Sequence, residues 1–170
     1  GMSLAVNDYN GDGYAELLVG TPRKDGPQAQ PLCDTGKGFL FSGRLWGPAV
    51  QNEVMLERAT PMSQDLNGYQ VHMADLIGDS KLDLLVGSLS SAQPRAVSVW
   101  DGASITAVGA AGPPTAVYTP ASGSGAHFCA GIAAGDLDHA GHDDLVLGDP
   151  DYSPSGGLTQ SGRVVISFWP

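Results

Sequence analysis

Short apolar runs alternate along this chain with polar, breaker-rich segments, and they do so in an order that recurs. An apolar stretch leads into an acidic loop, the loop opens into a continuous apolar triplet, and a glycine closes the unit. The loops begin at Asp8, Asp75 and Asp136, the triplets are 17–19, 84–86 and 145–147, and the closing residues are Gly20, Gly87 and Gly148. Each of these marks stands 67 and then 61 residues from its predecessor, so a period of about sixty residues organises the chain.

The pattern inside one period predicts strands. A first strand precedes each loop, at 4–6, 69–74 and 128–134, and the triplet after the loop has the uninterrupted apolar character of a strand covered on both faces. A third strand follows at 38–41, 96–100 and 163–168, and a weaker fourth at 54–57 and 116–118 that the third copy stops short of. No window of a dozen residues holds apolar positions at helical spacing, so the fold class is all-β. Four antiparallel strands per repeat, each sheet stacked on the next, describe the blade of a β-propeller. The expectation is a single propeller unit of about eleven strands in three blades, with repeats near 1–60, 61–122 and 123–170. Three blades cover too little arc to close, which predicts either a homo-oligomer about a twofold axis or a place in a longer propeller.

Composition narrows the partners. With 42% apolar residues the chain can build a core, and 24 glycines with 12 prolines suit turns better than helices. Eight basic against 18 acidic side chains give a formal charge of −10, which repels a phosphate backbone or an anionic lipid face and argues against nucleic acid as a partner. No apolar stretch approaches the roughly 20 residues that span a bilayer, so direct membrane insertion is not expected. Gly1 to Leu4 read as including a cloning scar rather than a signal peptide. Cys33 and Cys129 occupy non-equivalent places in their repeats and read as two separate thiols, in preference to a bridge.

The acidic loops carry the candidate chemistry. In loop one, Asp8, Asn10, Asp12 and Glu16 place oxygens at positions 1, 3, 5 and 9, and Tyr14 offers a backbone carbonyl at position 7. Alternating oxygens around a glycine-containing turn suit Ca²⁺, which takes six to eight oxygens in flexible geometry. Carboxylates brought to roughly 4 Å repel by about 4 kcal/mol per pair at an effective dielectric near 20, and a divalent cation removes that repulsion. The competing reading is an Asx-type turn that needs no metal. Loop three keeps Asp136, Asp138 and Asp144 but has Ala140 at position 5, which leaves both readings open. Loop two has Ile77 where an oxygen belongs and Lys81 nearby, so Asp75, Asp79 and Asp83 form an incomplete cage and a bare turn is favoured. An EF-hand is set aside because position 12 is Val19, Val86 or Leu147, inside a strand.

Several residues around the loops carry a family resemblance. Asn67-Gly68 and Phe128-Cys129 stand at repeat starts, and Gly20-Thr21-Pro22, Gly87-Ser88-Leu89 and Gly148-Asp149-Pro150 at the ends of the triplets. With the acidic loops between them, these resemble the FG-GAP repeat of the integrin α-subunit propeller and of glycosylphosphatidylinositol-specific phospholipase D. Asn67, Cys129 and Leu89 depart from that pattern. The resemblance implies calcium in the loops and an extracellular or cell-surface setting. It also implies a recognition or adhesion role for a protein or glycan ligand, bound on the face opposite the calcium loops. The connections 21–36 and 149–162 lie on that face, and Arg23, Lys24, Asp25, Asp151 and Tyr152 are the ligand-binding candidates.

No enzyme is expected. His72, His127, His139 and His142 form no zinc spacing, and no Gly-x-Ser-x-Gly motif occurs. Two alternatives remain at this level: the non-catalytic propeller of a secreted hydrolase, and a sugar-binding propeller lectin. The second is weakened because Trp46, Trp100 and Trp169 do not fall at matching loop positions.

Overall fold

Twelve short strands and a single 3-10 turn make up the described part of the molecule in a computed structural model. The structure describes residues 1–25, 33–43, 53–89, 95–105, 109–119, 127–154 and 159–168. Trp46, Trp169 and the middles of the two long connections, 26–32 and 155–158, lie outside the described residues.

The strands are β1 (Ser3–Asn7), β2 (Glu16–Thr21), β3 (Lys37–Phe41), β4 (Glu53–Leu56), β5 (Asn67–Ala74) and β6 (Asp83–Ser88). They continue as β7 (Val97–Trp100), β8 (Gly109–Ala110), β9 (Ala116–Tyr118), β10 (Ile132–Gly135), β11 (Asp144–Asp149) and β12 (Arg163–Ser167). Three sheets result, in the orders β1-β2-β3-β4-β8, β5-β6-β7-β9 and β10-β11-β12. Eleven strands pair antiparallel, and among the described residues the third sheet has three strands. The architecture is all-β, as the periodicity predicts, and is consistent with blades of a partial propeller.

The alternation of side chains across each strand explains the stacking. Leu18, Leu40 and Leu56 of the first sheet pack on Val71, Met73, Leu84 and Val86 of the second. From the other face of the second sheet, Leu85, Val97 and Val99 pack on Leu145 and Leu147 of the third. The middle sheet is therefore covered on both sides, and every residue of β6 and β7 is buried. This is why the triplet reads as uninterruptedly apolar.

Two features differ from expectation. The first strand of the third repeat is shorter than 128–134: residues 127–131 form a turn and β10 begins at Ile132. Cys129 has φ 57°, the left-handed region that Gly68 occupies at the same repeat position with φ 88°; in the second sheet this makes a bulge at the head of β5, whereas in the third the ladder begins only after it. The second feature is β8, which belongs to the second repeat yet pairs parallel with β4 of the first sheet, Val54 opposite Gly109 and Met55 opposite Ala110. The sulfur atoms are both free thiols, Cys33 exposed and Cys129 buried against the Ser88 carbonyl.

Candidate metal loops and the opposite face

Each acidic loop joins the first two strands of its sheet, β1 to β2, β5 to β6 and β10 to β11. All three are folded by the same backbone device. Positions 4 and 6 take left-handed φ: Gly11 and Gly13, Gly78 and Ser80, His139 and Gly141. The first aspartate then collects the amides so exposed. Asp8 Oδ1 accepts from Gly11 and Asp12 and its Oδ2 from Gly13, at 2.8–3.1 Å. Asp75 accepts from Gly78 and Ser80 at 2.8 and 3.0 Å, and Asp136 from Ala140 and Gly141 at 3.1 and 3.2 Å. Asn10 Oδ1 and Asp138 Oδ1 accept from Asp12 and Ala140 at 2.9 and 3.0 Å.

The loops diverge at the ninth position, where a buried carboxylate starts the second strand: Glu16, Asp83 or Asp144. In loop two both oxygens are taken. Asp83 Oδ2 accepts from Leu76 and Ile77 at 2.9 and 3.0 Å, and Oδ1 accepts from Gly102, in the 3-10 turn Gly102–Ser104, at 3.1 Å. In loop three, Asp144 Oδ2 accepts from Leu137 at 2.9 Å, while Oδ1 is buried without a hydrogen-bond partner. In loop one, Glu16 Oε2 accepts from Tyr9 at 3.3 Å and Oε1 is likewise buried and without a hydrogen bond. Burial raises the Glu16 carboxyl; the nearby amides of Gly43 and Tyr9 oppose that, and Asp12 and Asp8 raise it further. Burial also pushes Asp83 up to about 6, against the three amides that hold its charge.

Asp136, Asp138 and Asp144 each direct one oxygen to a common point, with all three within 4.8 Å of one another. Among the described residues no other trio of acidic, histidine or cysteine side chains converges in this way, so Asp8, Asp12 and Glu16 are less tightly gathered than the sequence suggests. The Tyr14 side chain is exposed. The gathered donors and the unpartnered Asp144 Oδ1 fit a hard cation in loop three; loop one has the donor types but not the convergence. Loop two does not fit: its ninth-position oxygens are spent and Ile77 supplies no side-chain oxygen.

Neighbouring loops also touch. Asp143 N–H donates to Asp75 O at 2.7 Å, Asp75 N–H donates to Asp143 Oδ2 at 3.1 Å, and the His142 ring packs over Gly78. His142 thus serves loop-to-loop packing, and His72 lies in β5, where burial lowers its pKa while Asp143 raises it.

The opposite-face candidates divide between two sheets. Arg23 and Lys24 line a cavity of about 380 Å³ with Gly1, Met2, Thr21 and Pro22, and Asp25 Oδ1 accepts the Asp34 amide at 3.1 Å. Asp151 pairs with His127, and the Tyr152 ring lies 3.9 Å beneath the Arg163 guanidinium, which also bonds Asp149 at 3.2 Å. His127 and Arg163 were not legible as partners, because the sequence offers only their separation of 24 and 11 residues from Asp151 and Tyr152. Trp100 is buried and donates to Gly112 O at 2.9 Å, so it forms no open sugar platform.

Residues 1–41, from β1 through loop one to β3, match the model of the FG-GAP repeat. No curated protein matches the chain. The FG-GAP match covers the first three strands of one blade, and the second and third sheets repeat their strand order and loop frame by register. Among the described residues no helix is long and apolar enough to cross a membrane.

Proposed function

We propose that this chain is a calcium-stabilised FG-GAP propeller module that serves extracellular recognition or adhesion and is not itself an enzyme. The observation that carries the reading is the orphaned ninth-position oxygen of loop three, Asp144 Oδ1, buried in the trio with Asp136 and Asp138. An unpaired buried carboxylate oxygen is costly, and a cation is the natural partner where further oxygens surround it. Asp136, Asp138 and Asp144 would hold one ion, and Asp8, Asn10, Asp12, the Tyr14 carbonyl and Glu16 another. The ion would supply charge neutralisation and cross-link the first two strands of its blade.

The calcium loops occupy one end of the strands, which leaves the connections after β2 and β11 for a protein or glycan ligand. Arg23 and Lys24 beside their cavity, with Asp25, form one candidate contact region, and Asp151 with Tyr152 another. The test is thermal unfolding in millimolar calcium and in chelator. Binding to the native state alone adds about 2.7 kcal/mol at a hundredfold excess over Kd, and each ~1 kcal/mol moves Tm by about 2–4 °C for a chain of 150–250 residues. A Tm that calcium leaves unchanged overturns the proposal.

A further inference from the structure

The chain has four asparagines, and two of them, Asn10 and Asn67, precede glycine. At such a pair a protein most readily modifies itself, because the next backbone nitrogen reaches the side-chain Cγ where no Cβ stands in its way. The two sites hold the same dipeptide in opposite surroundings.

Asn10 and Gly11 lie in loop one and are both exposed. Asn10 Oδ1 accepts the Asp12 amide at 2.9 Å, and the ring closed by this bond contains the Gly11 nitrogen, so the side-chain amide is turned toward that atom. The Gly11 N–H donates to Asp8 Oδ1 at 2.8 Å in the plane of its peptide, which leaves the faces of the peptide open. A Cβ built on Gly11 would meet nothing within 4 Å, so there is room for a new five-membered ring.

Asn67 is 1% exposed at the head of β5. Its Oδ1 and Nδ2 are buried without a hydrogen-bond partner, so no bond turns this side chain forward. Its N–H donates to Thr35 O at 3.1 Å. A Cβ on Gly68 would stand 2.4 Å from the Lys37 carbonyl oxygen, and one on Gly36 would stand 2.1 Å from the Asn67 carbonyl oxygen. The first sheet presses on this peptide and leaves a ring no space.

We propose that Asn10–Gly11 is a site of spontaneous deamidation, by which water irreversibly alters one residue of loop one, and that packing holds Asn67–Gly68 back. The Gly11 nitrogen gives its proton to base and bonds to Asn10 Cγ. The Cγ–Nδ2 bond breaks, and Nδ2 takes up a proton and leaves as ammonia. One water then opens the cyclic imide. Opening at Cγ leaves an aspartate; opening at the backbone carbonyl leaves an isoaspartate, whose main chain is one methylene longer. The consequence for calcium rests on the reading of loop one given above. An aspartate adds a carboxylate at position 3, whereas an isoaspartate displaces the Gly11 and Asp12 amides that Asp8 collects.

The test holds the folded 170-residue chain in mildly alkaline buffer with chelator and follows its peptide masses over time. Residue 10 should gain the mass of an amide-to-acid change at least about tenfold faster than residue 67, which must await local opening. Peptide fragmentation separates residue 10 from Asn7, and isomerisation at the neighbouring Asp12–Gly13 pair leaves the mass unchanged. In urea the two sites should react alike. Asn10→Gln, which cannot close the five-membered ring, should abolish the gain at position 10 while the far-ultraviolet circular dichroism stays that of the parent. Equal rates at the two sites in the folded chain, or an Asn10 that reacts only in urea, would overturn the proposal. Calcium titration of the aged chain separates this outcome from the calcium reading. Full deamidation at residue 10 with calcium binding identical to that of fresh chain would remove loop one from the metal sites and leave the modification standing.

Discussion

Loops two and three share one frame and differ in where the ninth carboxylate spends its oxygens. Asp83 gives both to backbone amides, three bonds in all, and one of them reaches across to Gly102 after the third strand. Asp144 gives one oxygen to Leu137 and leaves the other without a hydrogen bond, and its carboxylate gathers with those of Asp136 and Asp138 within 4.8 Å. The same acidic residue at the same register thus acts as a backbone clamp in one blade and leaves an oxygen without a hydrogen bond in the next, as the proposed calcium site requires. What decides is the supply of amides around it, and the ligand count of the loop is only half the account.

The largest effect expected from this contrast is at the clamp. Asp83→Ala strands three amides, two of them at the buried turn into loop two. Leaving such groups unsatisfied costs about 1–3 kcal/mol apiece, so a total loss of at least about 3 kcal/mol is expected. Urea unfolding should find the same loss in calcium and in chelator. A loss below about 1 kcal/mol would break the contrast, because the amides would then have found water without penalty.

Next comes Asp144→Asn, which keeps an acceptor for Leu137 and removes the charge. It should abolish loop three's share of the calcium-dependent stabilisation, a total of about 2.7 kcal/mol at hundredfold excess for a single site. Calorimetric titration of parent and variant checks this, and an unchanged stoichiometry would move the site out of loop three.

The clamp should also show in its titration. The Asp83 pKa is raised above its ordinary 3.8 to about 6, so the folded state holds the proton more tightly than the unfolded chain. Its contribution to stability is therefore fully present below about pH 4 and is lost as pH rises through about 6. Carboxyl-carbon NMR should find a midpoint near 6 for Asp83, and a midpoint near 3.8 would contradict the dominance of burial over the three amides.

The smallest expected effect sharpens the comparison most. Ile77→Asp restores the missing oxygen of loop two, yet with both Asp83 oxygens engaged the variant should gain no additional calcium. A new equivalent of bound calcium in the titration would show that position 3 alone had kept the ion away.

Much of this was legible in the sequence. The period, the strand order and the missing outer strand of the third repeat follow from apolar runs and glycines that any blade of this kind needs. The Gly102 clamp was not legible, because it joins residues 19 apart through a backbone amide that carries no side-chain signature. Strand β8 was hidden for a similar reason: Gly109 and Ala110 have no strand propensity and are recruited by the edge of β4. The pairing of Asp151 with His127 is a tertiary contact between exposed residues that no local pattern encodes.

That two-residue strand has a consequence for how the molecule opens. Beyond its ladder with β4, the Ala111 amide donates to Met55 O at 2.9 Å, and Trp100 holds the Gly112 carbonyl from the second sheet. The rims of the first two blades are sewn together, so their amides should exchange with solvent as one cooperative unit. The third blade is tied to the second only through its loop, by the Asp143–Asp75 bonds, and among the described residues no strand pairs with the outer side of β12, which makes it the earliest to exchange. A cation in loop three would therefore act as a rivet on the loosest leaf of the molecule, slowing exchange there far more than in the two blades already sewn.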